Sequence, residues 1–351
     1  MKLLILTQKV DINDDVLGFM HGWIAEFAKH CESVIVICLQ KGEYNLPRNV
    51  KVLSLGKEGG RSRLKYLWRF YKYICLERKN YDTVFVHMNQ IYIVLGGVFW
   101  KIFNKRLTLW YVHKSVNLKL KLAEKLADKI FTASKESFQL KSKKIIITGH
   151  GIDINKFKPQ KLNFNKDSKL KIIYVSRISK IKNQEMLIRA IDILVNKKNF
   201  KNLEVCLVGA PATPPDRPYL ESLKDLITEF NLNNYIKFLG KIPNKDIVKY
   251  YNESNLSVDL CPTGGVDKVV LESMACGVPA IVLNKTFVPI LAAYQKELIL
   301  TKDDPQELAD KIFNFYFFDK SFMEKIKKEL RDKIIKLFNL EEIIKKIITE
   351  L

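Results

Sequence analysis

The sequence has little glycine, no long apolar run and no cysteine pair in disulfide or metal-ligand spacing. Glycine supplies 15 of 351 residues, below the usual ~7%, which excludes collagen-like chains and flexible linkers. The longest apolar candidate, 91–103, contains Lys101 and is shorter than the about 20 residues that span a bilayer. None of the six cysteines lies in a CxxC pair, and the five histidines do not cluster. We therefore expect reduced thiols in a core and no zinc site.

The first residues, MKLLILT, are apolar but are soon interrupted by Gln8 and Lys9. This stretch is too short for a signal peptide and is typical of a first buried strand. Together with the cysteine usage, it favours a cytoplasmic location.

The composition is that of a folded chain of about two domains, with 47% apolar and 28% charged residues. Apolar strand patterns and helical patterns alternate from end to end, which predicts parallel sheets covered on both faces. A polar stretch over 158–168 interrupts the alternation, which restarts at Leu170. We predict an α/β protein with two Rossmann-like domains, over 1–160 and 161–320, and a cleft between them. The C-terminal helices over 321–351 can pack back on the N-terminal domain.

Positive charge is concentrated in the first half of the chain. The net charge is +21, from 59 Lys and Arg against 38 Asp and Glu. Segments 57–80 and 101–144 contribute +6 and +9 of it, and the first also contains seven aromatic or aliphatic residues over 66–74. This pattern fits an amphipathic helix with a solvated basic face, or a surface that binds anionic lipid. Nucleic acid is the least favoured partner because no nucleic-acid-binding motif is present.

Two segments of the second half have the residue types of a nucleotide site. In VSRISKIKNQ, Arg177 and Lys182 lie between a predicted strand and a helix beginning near Asn183. Two cations beside a helix N-terminus can bind a diphosphate, although they are also compatible with an ordinary charged surface. In 259–279, Gly264 and Gly265 permit close backbone approach, and Glu272 can accept from ribose hydroxyls or serve as a helix-dipole partner.

These motifs resemble the retaining nucleotide-sugar glycosyltransferases of family 4 (group 1), which have the GT-B fold. The residues that carry the resemblance are Arg177 with Lys182, and Glu272 in LESMACGVPAIV. HGIDINKFKP over 150–159 is similar to the stretch that ends the family's first domain. Gly209 after EVCLV, and IKFLG over 236–240, match in order. The resemblance covers most of the chain and is densest over 144–285.

The resemblance implies a nucleotide-diphosphate sugar as donor, with no metal ion and no further cofactor. Arg177 and Lys182 would hold the donor diphosphate, and Glu272 the ribose. His113 would lie near the transferred sugar, unless it is a structural histidine. The other implied donor-site residues are Gly209, Gly264, Gly265, Lys268 and Val269.

Two departures from the family pattern concern specificity. Gly264 stands where the family has a glutamate that contacts sugar hydroxyls, and Asp267 is a candidate to supply the missing carboxylate. The catalytic candidates are thus Arg177, Lys182, His113 and Asp267. The loop after the first strand lacks the family's glycine-rich stretch, and we predict Gly18 and His21 on the acceptor side. Its acidic residues suggest either an acceptor-hydroxyl or base cluster, or a solvated acidic loop: Asp11, Asp14 and Asp15.

We therefore expect a retaining glycosyltransferase, peripheral at the inner face of a membrane. Its acceptor would be a lipid-linked glycan or a glycolipid, with an anionic membrane surface as partner and no nucleic acid. Two alternatives remain, a catalytically degenerate nucleotide-sugar-binding protein and a nucleotide-sugar epimerase on the same fold.

Overall fold

The computed structural model describes residues 1–60, 62–160 and 169–351, and it divides the chain into two compact units. The first comprises Met1–Asp153, Pro243–Lys245 and Phe338–Leu351, and the second comprises Ile154–Ile242 and Asp246–Leu337. The chain thus enters the second unit before residue 160, because Phe157 is buried there against Tyr251 and the Gln160 amide donates to Asn252. Residues 161–168 of the polar stretch that separates the two predicted domains lie outside the described residues.

The first unit is built on a parallel seven-stranded sheet in the order β3-β2-β1-β4-β5-β6-β7. The strands are β1 (Lys2–Val10), β2 (Ser33–Lys41), β3 (Val50–Ser54), β4 (Thr83–His87), β5 (Arg106–Trp110), β6 (Lys129–Thr132) and β7 (Ile145–Ile147). Its helices are α1 (Phe19–His30), α2 (Arg63–Leu76), α3 (Ile91–Ile102), α4 (Leu118–Leu126) and the C-terminal helix (Leu340–Glu350).

Alternate side chains of each strand pack on opposite faces of this sheet, as strand geometry requires. Leu3 and Ile5 of β1 lie in the core beneath α1 and the C-terminal helix. Leu4 and Leu6 lie in the core beneath α2, α3 and α4. The sheet is therefore buried on both faces, which explains its nearly continuous apolar strands.

The second unit has a parallel five-stranded sheet in the order β10-β9-β8-β11-β12. The strands are β8 (Leu170–Val175), β9 (Leu203–Val208), β10 (Ile236–Gly240), β11 (Leu256–Asp259) and β12 (Ala280–Val282). The helices are α5 (Gln184–Asp192), α6 (Arg217–Glu229), α7 (Ile247–Asn252), α8 (Lys268–Ala275), α9 (Val288–Leu291), α10 (Gln295–Leu298), α11 (Pro305–Tyr316) and α12 (Lys320–Phe338), so the C-terminal helix is α13.

The predicted α/β class and parallel sheets are confirmed. The short helices α9 and α10 depart from the alternation of strand and longer helix, and β5 ends at Trp110 although apolar residues continue to Val112. None of the helices in the described ranges is long and apolar enough to cross a membrane.

Candidate functional site

The strand order of the second unit reverses between β8 and β11, which pair directly, with Leu256 opposite Ile172 and Ser257 opposite Ile173. The loops after these two strands, 176–183 and 260–267, therefore leave the same edge of the sheet side by side. In open parallel sheets, ligands bind at the carboxyl ends of the strands where the order reverses. Both motifs predicted from the sequence follow these two strands.

The loop after β8 holds Arg177 by its backbone. Gln184, the first residue of α5, is buried, and its amide nitrogen donates to Ser176 Oγ and to the Arg177 carbonyl, both at 2.8 Å. The Arg177 residue itself is exposed. A cation with a fixed backbone and a solvent-facing side chain is suited to meeting an incoming anion.

Gly209, at the end of β9, is required by packing against the same loop. Its φ is +129°, and an added Cβ would lie 1.9 Å from the Ser176 carbonyl oxygen. The glycine thus allows the backbone to pass close to Arg177, which is a structural reason beside its predicted donor contact.

Lys182 joins the two loops. Its ammonium donates to Asp267 Oδ2 at 2.6 Å, and only 14% of its side chain is exposed. The Tyr174 hydroxyl donates to the Lys182 carbonyl and accepts from the Leu260 amide at 3.1 Å. One buried hydroxyl therefore fixes the backbone of both loops around the ammonium.

A second carboxylate faces the same ammonium. Asp259, the last residue of β11, is 1% exposed; its Oδ1 accepts from the Cys261 amide at 3.0 Å, and its Oδ2 has no hydrogen-bond partner among the described residues. Burial and the neighbouring Asp267 raise the pKa of Asp259 well above its ordinary value. Burial alone would lower the pKa of Lys182, but Asp259 and Asp267 outweigh it and raise that pKa to about 12.

Asp267 precedes α8, yet its side chain makes no capping hydrogen bond to that helix. One of its carboxylate oxygens is instead engaged by Lys182. The structure thus brings two of the predicted catalytic candidates, Lys182 and Asp267, into direct contact as an ion pair.

The glycine loop adopts a conformation that few other residues adopt. Gly264 has φ +135°, and the side-chain amide of Asn284 donates to the carbonyls of Gly265 at 3.1 Å and Gly264 at 3.4 Å. Asn284 is itself buried. A glutamate at 264 would strain this backbone. The conformation of the loop therefore explains why glycine replaces the family's glutamate at this position.

Glu272 lies in the second turn of α8 and is 3% exposed. Its carboxylate is 3.9 Å from the Lys268 ammonium, one helical turn earlier. Tyr251 donates to the Val269 carbonyl at 3.1 Å and fixes the start of the helix. Three predicted donor-site residues, Lys268, Val269 and Glu272, therefore lie on one helix whose start is held by Tyr251.

In the first unit, the acceptor-side candidates have structural contacts of their own. An added Cβ at Gly18 would lie 2.4 Å from the Asp14 carbonyl oxygen, and His21 Nε2 accepts from the Asn45 amide at 3.0 Å. Gly18 is therefore needed where the loop turns into α1.

The acidic loop is not the solvated loop that one alternative expected. The Lys9 ammonium pairs with Asp14 at 2.6 Å and with Asp11 at 3.0 Å. The side chains of these two acids are only 14% and 15% exposed. Burial raises the pKa of Asp14, but the Leu17 amide and Lys9 outweigh it and lower that pKa. A carboxylate held ionised and saturated in this way is poorly suited to act as a base.

His113 lies in the exposed loop after β5. Its Nδ1 accepts from the Ser115 amide at 3.0 Å and contacts Ser115 Oγ at 2.8 Å, so its proton is on Nε2 in the neutral ring. This arrangement leaves Nε2 as the nitrogen that can meet a ligand.

Four residues that position the site were not predicted from the sequence: Tyr174, Gln184, Asp259 and Asn284. Asp259 had a recognisable pattern, because a carboxylate ends an otherwise apolar strand just before the glycine loop. Tyr174 and Asn284 act through contacts 86 and about 20 positions away in sequence, and Gln184 reaches back within its own loop to Arg177.

The two parallel sheets, with paired loops where the strand order of the second unit reverses, define a two-unit α/β fold of GT-B type. The chain belongs to the glycosyl transferases group 1 family, which it matches over residues 155–343. The family match supports a transferase, as predicted.

Two relatives and one solved structure show how far the likeness extends. The chain is 25% identical to a D-inositol 3-phosphate glycosyltransferase of Corynebacterium efficiens over 40% of this chain and 32% of that protein. It is 24% identical to a GDP-mannose-dependent alpha-(1-6)-phosphatidylinositol monomannoside mannosyltransferase of Mycolicibacterium smegmatis, over 37% and 36%. The matches thus span about a third of these relatives. Anabaena Alr3699/HepE in complex with UDP and glucose shares the fold, with a TM-score of 0.78, 19% identity and coverage of 100% and 99%.

Proposed function

We propose that this glycosyltransferase moves a sugar, with retention of anomeric configuration, from a nucleotide-diphosphate sugar to a membrane-borne acceptor such as a lipid-linked glycan or a glycolipid. The observation that carries the proposal is the meeting of the Lys182 loop and the Gly264–Glu272 segment where the strand order reverses. The UDP and glucose in the complex of Alr3699/HepE support the donor class.

Arg177 and Lys182 bind the donor diphosphate in this proposal, and Glu272 accepts from the ribose hydroxyls. As the bond between sugar C1 and the phosphate oxygen lengthens, negative charge grows on the diphosphate. The two cations stabilise that charge, which lowers the barrier without a metal ion. Gly209, Gly264, Gly265, Lys268 and Val269 complete the donor side.

Retention follows if the acceptor oxygen attacks C1 on the face that the diphosphate leaves. The new C–O bond forms as the C1–phosphate bond breaks, and the acceptor hydroxyl proton passes to the departing diphosphate. His113, Gly18 and His21 belong to the acceptor and sugar side.

The membrane-borne acceptor is supported by the outer face of α2, α3 and α4, which we term the basic apolar surface. It exposes Leu64 (81%), Trp68 (61%), Ile102 (73%) and Leu118 (72%). Its helices are neighbours, since the rings of Tyr71 and Phe99 lie 5.1 Å apart. Two of these helices, α2 and α4, also carry exposed cations close in sequence to the apolar side chains: Arg63, Lys65, Lys72, Lys119 and Lys121. Apolar side chains among cations are the composition of a surface that enters an anionic interface, and we place the protein at the cytoplasmic face of a membrane.

The test is release of nucleoside diphosphate from UDP-, GDP- and ADP-sugars, with and without a membrane-lipid extract. Release should depend on lipid, fall with Glu272→Ala and persist with Glu221→Ala, an exposed acid paired with Lys224. Nucleotide binding without release under any condition would indicate a degenerate binding protein. Isomerised sugar without acceptor would indicate an epimerase.

A further inference from the structure

Three titratable side chains meet where β8 and β11 end, and their charges do not balance when all three are ionised. One ammonium, Lys182, faces two carboxylates, Asp259 and Asp267. Asp267 is a third exposed and reaches water, whereas Asp259 is 1% exposed and has an unpartnered oxygen among the described residues.

The other titratable groups facing Asp259 do not supply a second cation. They are the Cys261 thiol, the Tyr174 hydroxyl and the Tyr251 hydroxyl. Burial raises the pKa of each, so all three stay neutral near pH 7. Among the described residues, Lys182 is the cation for which the structure shows an interaction with both carboxylates.

Binding of a donor changes this balance. The diphosphate of a nucleotide sugar carries two negative charges, and in the proposed function Lys182 binds one of its oxygens. Since that ammonium now donates to Asp267 at 2.6 Å, it must be shared with or taken from the carboxylates. Two carboxylates would then face each other beside a dianion, and two close carboxylates cannot both stay ionised away from water.

We infer that Asp259 and Asp267 form a proton-binding pair, which takes one proton from solvent when the donor diphosphate engages Lys182. The proton binds mainly on Asp259, the more buried of the two, and returns to solvent when the nucleoside diphosphate leaves. The inference rests on the proposed function, because it takes Lys182 as the cation that meets the diphosphate. Asp267 is then a positioning residue for Lys182 and not the sugar-binding carboxylate.

The consequence is a donor affinity linked to pH. Above the pH at which the free pair already holds its proton, each bound donor must bring one proton with it. The dissociation constant then rises by about tenfold per pH unit at full linkage. The diphosphate of an intact nucleotide sugar does not titrate in this range, but the uracil and guanine rings begin to lose a proton at its upper end. ADP-glucose, whose adenine does not, therefore gives the proton count that reports on the protein alone.

The experiment measures binding of UDP-glucose, GDP-mannose and ADP-glucose to the full chain by titration calorimetry. Titrations at about pH 7, 8 and 9, each in buffers of low and high ionisation heat, give the number of protons taken up. We expect uptake to approach one proton by about pH 9, with affinity at least roughly tenfold weaker than at pH 7.

The variants separate the two carboxylates. Asp259→Asn should abolish uptake and bind more tightly than the native chain at about pH 9, because its neutral amide needs no proton. Asp267→Asn should retain uptake, since Asp259 remains buried. Asp310→Asn is the matched control; it removes the acid of a surface ion pair with Lys198 at 2.7 Å and should behave as the native chain.

Each outcome decides the inference. Binding that does not change with pH, or uptake that survives Asp259→Asn, overturns the proton-binding pair but leaves the donor site and the proposed function standing. A folded protein that binds none of the three nucleotide sugars overturns both. If Asp259→Asn does not fold, the proton count of the native chain and of Asp267→Asn still decides.

Discussion

At the residue scale, the buried Asp259 carboxyl should make stability depend on pH. Its pKa is raised in the folded protein, so between its ordinary and raised values the folded state holds a proton that the unfolded state has lost. The free energy of unfolding therefore falls as pH rises through that window, by at most about 1.4 kcal/mol per pH unit. Asp259→Asn should flatten the slope in denaturant unfolding between about pH 5 and 8. Equal slopes in both proteins would contradict the assignment.

Two glycines with similar φ angles allow backbone strain to be separated from collision. Gly209→Ala places a Cβ 1.9 Å from the Ser176 carbonyl, whereas at Gly264 the nearest atom to a Cβ is 3.8 Å away. Gly264→Ala should cost about 1–3 kcal/mol from strain alone, and Gly209→Ala should cost more. Thermal unfolding checks the order; equal losses would mean that the close approach relaxes freely.

Some of these site residues were predictable from the sequence and others were not. Arg177 and Lys182 stand in a short motif after β8, and Glu272 stands in a motif on α8, so local pattern is enough to single them out. The pairing of Lys182 with Asp267 joins residues 85 positions apart, and the positive φ of Gly264 is a property of the folded loop. The sequence therefore predicts Asp267 as the carboxylate that contacts the sugar hydroxyls, whereas in the structure it is bound to Lys182.

At the element scale, alternation of strand and helix patterns predicts the parallel sheets, which the structure confirms. Strand ends were less certain, since β5 stops at Trp110 although apolar residues continue to Val112. Its last two residues pair with neighbouring strands on both sides, and the chain then turns into the His113 loop. Helix α2 was predicted as basic and amphipathic, but exposure of Leu64 and Trp68 depends on which face packs on the sheet.

The exposed side chains of α2 should matter for vesicle binding and not for folding. Leu64→Ser with Trp68→Ser removes apolar side chains that are 81% and 61% exposed, so the free energy of unfolding should change by less than about 0.5 kcal/mol. Binding to vesicles with anionic lipid should weaken at least severalfold, measured by cosedimentation. Phe317→Ser, at a 64% exposed apolar residue of the second unit, should bind as the native chain. Unchanged binding by the double variant would exclude α2 as the contact.

At the scale of the whole molecule, the sequence predicts two sheets but not their strand orders or the full path of the chain. Residues 243–245 belong to the first unit although the segments on either side belong to the second. The Asn244 amide donates to the Asp14 carbonyl, and α13 returns to pack on α1. Such assignments depend on long-range contacts, which no local pattern encodes.

Charge is also distributed unevenly over the molecule, and this predicts two different responses to salt. Segments 57–80 and 101–144 of the first unit contribute +15 of the net +21, mostly on exposed side chains that salt screens effectively. The donor-site ion pair is more enclosed, since the Lys182 side chain is only 14% exposed, and is screened less. Raising salt from about 50 to 500 mM should therefore release the protein from anionic vesicles and remove the stimulation by lipid. Nucleotide-sugar binding, measured without lipid, should weaken far less, and a parallel loss of both would assign the basic segments to the donor instead of the membrane.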